Sequence, residues 1–281
     1  MAYVSDGSTS VRLDPAGVAR AATRLRWYQE VATVAAFYGI YSVIRNQFGS
    51  NAVDPSLAQR NAIRVIRLEQ LVGGFVEADI QRFFLGLSTL FLRFWNLYYG
   101  TLHFVVTAGV MVWLFRRHPD IYPRWRNTLA AMTGLALVGF SLFPLMPPRL
   151  LADTGLYGGG DARFSGFVDT LHHFPTLWSF NSATMQTVSN QFAAMPSLHV
   201  GWSLWCVLAV FPFIRARWLR RLVLLYIPAT VFAIVVTANH YWLDAVGGVA
   251  AFQIGYLIAG RIDYVKARGQ RTPTVLAPPA T

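Results

Sequence analysis

Apolar and polar residues alternate along the chain in long blocks, with six apolar stretches separated by polar segments. A helix needs roughly 20 apolar residues to cross a bilayer, and all its backbone amides must be hydrogen-bonded within the protein. The stretches are residues 28–44, 95–115, 128–146, 196–214, 219–238 and 241–260. This pattern predicts an all-α integral membrane protein built as a six-helix bundle.

A weaker helical pattern lies between the first two stretches, where apolar residues interleave with charges at helical spacing. These residues are Ile63, Ile66, Leu71, Val72, Phe75 and Val76. The spacing predicts an extra amphipathic interfacial helix. Two interpretations are open: the helix lies on the membrane surface and contacts lipid, or it is a lid packed on neighbouring spans.

The composition also indicates a membrane as the solvent. Of 281 residues, 54% are hydrophobic and only 13% are charged, and the mean hydropathy is +0.40, unlike a typical soluble domain. The net charge of +11 alone is compatible with nucleic acid, anionic lipid or membrane orientation. The arginines lie mostly in short segments between apolar stretches and no nucleic-acid-binding motif is present. We therefore expect membrane lipids, and no nucleic acid, as partners.

The arginine positions predict the orientation. Arginine-rich segments precede the first stretch, separate the second from the third and the fourth from the fifth, and follow the sixth. With six spans they share one side, which the positive-inside rule makes cytoplasmic. We expect an integral plasma (inner) membrane protein with both termini cytoplasmic. Its parts are a cytoplasmic arm at 1–27, a membrane domain at 28–262 with external loops 46–94 and 147–195, and a disordered cytoplasmic tail at 263–281.

Ionisable residues open two of the apolar stretches. A Pro-Ser-Leu-His tetrapeptide ends at His199 in the fourth, and His240 and Asp244 open the sixth, so both lie at the extracytoplasmic face of the six-span arrangement. Such groups are costly in membrane helices, which predicts a functional role. His240 and Asp244 share a helical face, where the carboxylate can bind one imidazole nitrogen and raise the basicity of the other. His240 can then attack phosphorus, while His199 protonates the leaving oxygen and activates the acceptor.

Backbone amides and an arginine are predicted to bind the phosphate. Proline suits the first turn of a helix, so the following amides of Ser197 and Leu198 should point outward at the positive end of the helix dipole. Arg149 emerges on the same side, and its guanidinium can bind two phosphate oxygens. The alternative for Arg149 is that it only anchors a span at the membrane interface.

A polar helix face predicts further ligands for a head group. Asn96, Tyr99 and His103 recur at spacings of three and four residues at the start of the second stretch. Together with Arg93 and Asn239 they could complete the pocket. The alternative, equally open, is that the trio forms only interhelical hydrogen bonds.

These motifs resemble those of the type-2 phosphatidic acid phosphatase superfamily, which read Lys-x6-Arg-Pro, Pro-Ser-Gly-His and Ser-Arg-x5-His-x3-Asp. The resemblance covers about residues 95–260: Arg149 matches the first motif, His199 the second, and His240 with Asp244 the third. It implies that His240 is the nucleophile and His199 the acid. Lysine, proline, glycine, serine and arginine of the motifs are replaced by Leu142, Leu150, Leu198, Ala233 and Ile234. The chain looks more like the inositol phosphorylceramide synthase-like branch, whose members are lipid phosphotransferases.

The motifs and the resemblance together predict a lipid phosphatase or phosphotransferase that needs neither metal nor cofactor, because histidines, an arginine and helix amides supply the chemistry. We expect a phospholipid or polyprenyl-type lipid phosphate as substrate. Three alternatives stay open: an inositol-type phosphotransferase moving a phospho-head group between lipids, a zinc hydrolase, and a proton-coupled transporter. The oligomeric state is not predicted.

Overall fold

The computed structural model describes residues 11–13, 19–21, 26–48, 53–174 and 190–269. These residues are almost all helical. The α-helices are α1 (Trp27–Phe48), α2 (Pro55–Leu71), α3 (Glu77–Leu85), α4 (Thr89–Leu97), α5 (His103–Arg117), α6 (Tyr122–Leu142), α7 (Thr170–His173), α8 (Leu198–Val210), α9 (Arg217–Leu224), α10 (Tyr226–Val236) and α11 (Trp242–Gly269).

Shorter elements connect or extend these helices. A π-helix, Tyr98–Leu102, joins α4 to α5 without a break, and 3₁₀ turns occupy Pro148–Leu150, Ala162–Phe164 and Phe211–Phe213. Two three-residue strands, β1 (Val11–Leu13) and β2 (Ala19–Ala21), pair antiparallel within the predicted cytoplasmic arm. The prediction of an all-α fold therefore holds for the bundle, and the arm adds this small exception.

Among the described residues, three helical stretches are long and apolar enough to cross a membrane: Thr89–Arg117, Arg217–Val236 and Trp242–Arg268. A shorter apolar helix covers Leu198–Phe213. These four coincide with the second, fifth, sixth and fourth predicted spans, which confirms the membrane character of the protein. The first and third predicted spans overlap α1 and α6, but these helices do not meet the criterion of length and hydropathy that the three long stretches meet. The number of six spans therefore stays a prediction.

Helix α11 packs closely against α6 and α8 because glycines remove side chains from the contacts. A Cβ atom on Gly255 would lie 2.9 Å from the backbone nitrogen of Met132 in α6. On the other side Gly201 of α8 faces Gly248 of α11, where a Cβ would overlap the carbonyl oxygen of Ser197. Small residues allow membrane helices to approach at backbone distance, and here they bring together the two helices that carry His199 and Asp244.

Helices α2 and α3 cover the end of the bundle where α6 ends and α11 begins. The side chain of Asp54 caps α2 by accepting from the amide of Ser56 at 2.9 Å. The buried face of α2, which includes Ala62 and Ile66, packs against Met146 and Tyr241. This packing supports the lid interpretation, and the predicted single amphipathic helix is instead a pair of helices joined by a glycine-containing turn.

Some predicted boundaries differ from the structure. The last helix continues to Gly269, past the predicted end of the membrane domain at residue 262. The remaining tail, 270–281, lies outside the described residues, as do most of the arm and residues 175–189 of the second external loop. The first external loop, 46–94, contains α2, α3 and the beginning of α4.

Candidate active site

The imidazole of His240 is buried and held by two acceptors. Its Nδ1 lies 2.8 Å from the carbonyl oxygen of Ala194 and 3.1 Å from Oδ2 of Asp244. Because a carbonyl and a carboxylate can only accept, Nδ1 carries the proton and donates to both. The tautomer assigned in this way from the hydrogen bonds leaves Nε2 with a lone pair.

Asp244 connects the two histidine motifs. Its Oδ2 also accepts from the amide of Tyr241 at 3.0 Å, and its backbone oxygen accepts from the amide of Ser197 at 2.9 Å. The Ser197 amide is therefore used to fix the start of α8 to the first turn of α11. This corrects the prediction that this amide is free to bind phosphate, whereas the role of the Leu198 amide stays a prediction.

His199 lies in a group of aromatic rings next to His240. Its ring stacks on Tyr99, with centroids 4.2 Å apart and planes at 17°. The ring centroid of His103 is 4.1 Å from that of His199, and the centroid of His240 is 5.5 Å away. Tyr99 lies within the π-helix Tyr98–Leu102, and His103 is the residue directly after this π-helix. Single turns of π-helix inside a longer helix are frequent at functional sites.

Arg149 is buried beside this group, and its guanidinium contacts three different segments. Its Nε donates to Asn239 at 2.9 Å, one terminal nitrogen donates to Asp169 at 2.9 Å, and the other donates to Gln191 at 2.5 Å. Its backbone amide donates to Ala238 at 2.9 Å. The arginine is thus fixed to the residues that immediately precede His240, which disfavours a role as an interfacial anchor.

The predicted head-group residues separate into different places. Tyr99 and His103 lie against His199, as described above, while Arg93 is exposed. Asn96 donates to the carbonyl oxygens of Thr170 and Phe174 at 2.7 and 3.0 Å. These hydrogen bonds connect α4 to the segment around α7. They favour the alternative in which Asn96 stabilises the packing of the protein.

Asn239 also acts within the protein. Its amide nitrogen donates to the carbonyl oxygen and hydroxyl of Thr237, at 3.1 and 3.0 Å, and its side-chain oxygen accepts from Arg149. With both ends of the amide engaged in this way, Asn239 orients Arg149. That Asn239 also contacts a head group stays a prediction.

Four further polar residues at the site escaped the sequence analysis. Two of them, Asp169 and Gln191, are partners of Arg149. The other two, Glu69 and Glu77, are fully buried and accept from the backbone amides of Leu243 and Trp242, each at 3.0 Å. Only Asp169 carried a sequence signal, since Asp before Thr170 is typical of a helix N-cap, and that signal says nothing about Arg149.

The site is rich in groups that can bind metals, but they do not converge. Among the described residues, no three side chains of the types His, Cys, Asp or Glu are placed to hold a metal ion. The chemistry that the arrangement itself supports is nucleophilic: a buried imidazole with one free lone pair, a second imidazole beside it, and a fixed guanidinium.

Comparison with known proteins places these residues in a family. Neither a search of the curated proteins nor a search of the solved structures found a match. The family model described as "PAP2 superfamily" matches residues 63–258, a range that contains Arg149, His199, His240 and Asp244. Members of this superfamily are generally phosphatases or phosphotransferases and act on lipid phosphates in general. Because the match covers more than half of the chain, the protein belongs to the PAP2 superfamily.

Proposed function

We propose that the protein is a membrane enzyme that hydrolyses or transfers a lipid-linked phosphoester through a covalent phosphohistidine on His240. The observation that carries the proposal is the orientation of the His240 ring, whose Nδ1 proton is held by Asp244 and Ala194. A neutral imidazole with this tautomer presents Nε2 as a nucleophile, and the carboxylate stabilises the positive charge that develops on the ring during attack.

In the first step, Nε2 of His240 attacks phosphorus. The new bond joins nitrogen to phosphorus, and the bond between phosphorus and the lipid or head-group oxygen breaks. That oxygen leaves with an electron pair and takes a proton from His199, whose ring lies 5.5 Å from that of His240 between centroids. The proton prevents the release of an unstable alkoxide.

In the second step, water or an acceptor alcohol gives a proton to the now neutral His199 and attacks the phosphohistidine. The bond from nitrogen to phosphorus breaks, the new phosphorus–oxygen bond forms, and both histidines return to their starting protonation states. Hydrolysis and transfer differ only in the acceptor that reaches His199. Neither step as written requires a metal ion or a cofactor.

Arg149 stabilises the charge on the phosphoryl oxygens in this proposal. Its guanidinium is already oriented by Asn239 and Gln191, so little reorganisation is needed when negative charge develops. One terminal nitrogen contacts Asp169, and the phosphoryl group would share or replace that contact. Tyr99 and His103, which lie against His199, would contact the leaving group.

The orientation belongs to the same proposal. The arginine-rich segments between the predicted spans lie toward the end of the bundle opposite to His240, where α5 ends and α6 begins, whereas α2 carries Arg60, Arg64 and Arg67 at the His240 end. The positive-inside rule then makes the end opposite to His240 cytoplasmic. The substrate would present its phosphate at the extracytoplasmic side of the plasma membrane, with both termini of the chain in the cytoplasm.

The experiment uses the purified full-length protein in detergent with a lipid phosphate labelled with ³²P. We expect acid-labile, base-stable label on the wild-type protein after rapid quenching, and no label on His240→Ala. Turnover of His240→Ala should fall by a factor of about 10³ or more, since removal of a nucleophile leaves only binding and charge stabilisation. His173→Ala, which removes an exposed histidine, is the control. Full turnover by His240→Ala would exclude the mechanism.

A second arm tests His199 and the acceptor. An ester with a p-nitrophenyl leaving group needs no proton on departure, so His199→Ala should still form the phosphoenzyme from it but not from an alkyl phosphate. Added inositol separates hydrolysis from transfer, because a phosphotransferase makes a new phosphoester at the expense of free phosphate. Activity in detergent, without a sealed compartment, would argue against a proton-coupled transporter, and loss of activity in strong chelator would support a zinc hydrolase instead.

A further inference from the structure

Two carboxyl groups meet at the first turn of the helix that carries Asp244. Glu69 lies near the end of α2 and Glu77 begins α3, and the turn between these helices brings both side chains onto the N-terminus of α11. The amide of Trp242 donates to Oε1 of Glu77, and the amide of Leu243 donates to Oε1 of Glu69, each at 3.0 Å. Both glutamates have no exposed surface.

The second carboxyl oxygen of each glutamate lies in an unusual environment. Among the described residues, no donor reaches Oε2 of Glu69 or Oε2 of Glu77, although both atoms are buried. Oδ1 of Asp244 is also buried, and no donor among the described residues reaches it. The negative charges of Glu77 and Asp244 both disfavour ionisation of Glu69. The phenol of Tyr241 lies close to the same two carboxyl groups. Three ionised carboxylates gathered here without a matching cation would be strongly disfavoured.

A proton on one glutamate resolves the conflict. Burial, and then the charge of Glu77, raises the pKa of Glu69 to about 9, and the two side chains are within hydrogen-bond reach of each other. A protonated carboxyl can donate to its neighbour, so a single proton replaces the repulsion between the two side chains with a hydrogen bond. Carboxyl pairs that share a site commonly titrate in this way: one member stays protonated at a pH far above its ordinary pKa.

We propose that Glu69 and Glu77 form a proton-sharing pair that positions the His240–Asp244 pair by holding the first turn of α11 with its single negative charge. The glutamates act through the first turn of α11, whose amides they hold, and are positioning residues without contact to substrate. The catalytic part of this inference rests on the proposed function, but the shared proton does not.

Glutamine substitutions separate the proton from the structure. In Glu69→Gln the amide oxygen still accepts from Leu243, and the amide nitrogen donates to Glu77 as the acid did, so the single negative charge remains. The double variant Glu69→Gln/Glu77→Gln keeps both acceptors but removes the charge. Asp79→Asn is the matched control, because Asp79 lies on α3 two residues from Glu77 and its side chain is exposed and paired with Arg82.

The first measurement does not depend on activity. Infrared spectra of the wild-type protein near pH 7 should contain a carboxylic acid C=O band that is lost in Glu69→Gln and kept in Asp79→Asn. The melting temperature of the wild-type protein should fall as the pH rises from about 4.5 to about 9, because the unfolded chain ionises Glu69 in this range while the folded protein does not. Glu69→Gln should flatten this slope. Absence of the band at pH 7 would overturn the inference whatever the protein catalyses.

The second measurement separates kcat from KM for a lipid phosphate. Relative to Asp79→Asn, the double variant should lower kcat several-fold with little change in KM, because a neutral pair holds the amides of Trp242 and Leu243 less strongly than a charged one. Glu69→Gln, which keeps the single charge, should change kcat less. An unchanged kcat in a folded double variant would contradict the positioning role. If the wild-type protein shows the infrared band but no phosphohydrolase or phosphotransferase activity, the proposed function fails and the shared proton stands.

Discussion

The two ends of the bundle use arginines in different ways, one buried and one half-buried. At the end that carries His240, Arg149 distributes its three nitrogens over Asn239, Asp169 and Gln191, which belong to three separate segments. At the opposite end, one terminal nitrogen of Arg126 contacts both carboxylate oxygens of Glu30 at 2.6 and 2.7 Å. The second arrangement joins α1 to α6 with one ion pair, whereas the first fixes the position and orientation of a guanidinium.

The partners of each arginine separate a role in function from a role in stability. The partly buried pair of Arg126 with Glu30, whose side chains are 20% and 13% exposed, connects two helices, and the other two guanidinium nitrogens of Arg126 donate to its neighbour in the chain, Asn127, at 3.3 and 3.1 Å. Arg149 is instead oriented by side chains from three separate segments, as is expected of a group that meets charge developing at a defined point. Substitution of each arginine tests this difference.

The largest effect is expected from lysine substitution at the two arginines. Arg149→Lys replaces a planar fork with a single ammonium group that cannot keep three partners in place. We expect kcat/KM for a lipid phosphate to fall by a factor of about 10²–10³. In Arg126→Lys the charge pair with Glu30 can re-form, so activity should stay within a few-fold while the melting temperature decreases.

Both variants are compared in the same detergent by phosphate release and by thermal denaturation. A loss of activity in Arg126→Lys as large as that in Arg149→Lys would remove the distinction between the two ends. Equal activity of Arg149→Lys and wild type would show that orientation of the guanidinium is unimportant.

A smaller effect is expected where the helices behind the site touch. In Gly248→Ala the new methyl group overlaps the carbonyl oxygen of Ser197, so α8 and α11 must move apart at a cost of about 1–3 kcal/mol. Gly134→Ala is the control in α6, because nothing lies within 4 Å of the added atom. It should be neutral or stabilise the helix by about 0.5–1 kcal/mol.

Thermal denaturation and activity are measured on both glycine variants. Gly248→Ala should lower the melting temperature and also the activity, since the overlap lies between the helices that carry His199 and Asp244. A Gly248→Ala protein as stable and active as Gly134→Ala would show that this backbone contact does not set the site.

The smallest effect is expected at Ala238, whose carbonyl oxygen accepts from the Arg149 amide. Ala238 has a φ of 52°, in the left-handed region. Ala238→Gly relieves about 1 kcal/mol of strain but loses about 0.8 kcal/mol of methyl burial, so stability should hardly change. Ala136→Gly, at a buried helical position in α6, gains no relief and should lose about 2 kcal/mol from burial and helix propensity together. Similar melting temperatures for the two variants would contradict this account.

Local spacing was enough to predict part of this site. The separation of four residues predicted that His240 and Asp244 meet, and they do, at 3.1 Å. The predicted shared helical face is wrong, because α11 begins only at Trp242 and His240 lies just before it, so Asp244 in the first turn of the helix reaches back to the preceding segment. The apolar stretches likewise predicted the four long or apolar helices, since a membrane span is a property of continuous sequence. The superfamily match confirms the resemblance at the level of the superfamily, while the proposed branch stays a prediction.

Long-range contacts were beyond this reasoning. Asp169 and Gln191 lie 20 and 42 residues from Arg149, and Glu69 lies 174 residues from Leu243, so no periodicity relates them. The π-helix at Tyr98–Leu102 had a related effect. A regular helix would group Asn96 with Tyr99 and His103, but the changed turn directs Asn96 to Thr170 and the other two side chains to His199.

The glycine contact between α8 and α11 also has a mechanical consequence. Gly201 follows His199 by two residues, about 3 Å of helix rise, and Gly248 follows Asp244 by four residues, about 6 Å. A pivot so close to both side chains leaves only short lever arms, so tilting of either helix moves them little relative to each other. Tilting or bending of the spans in the lipid should therefore change the distance between His199 and Asp244 only little.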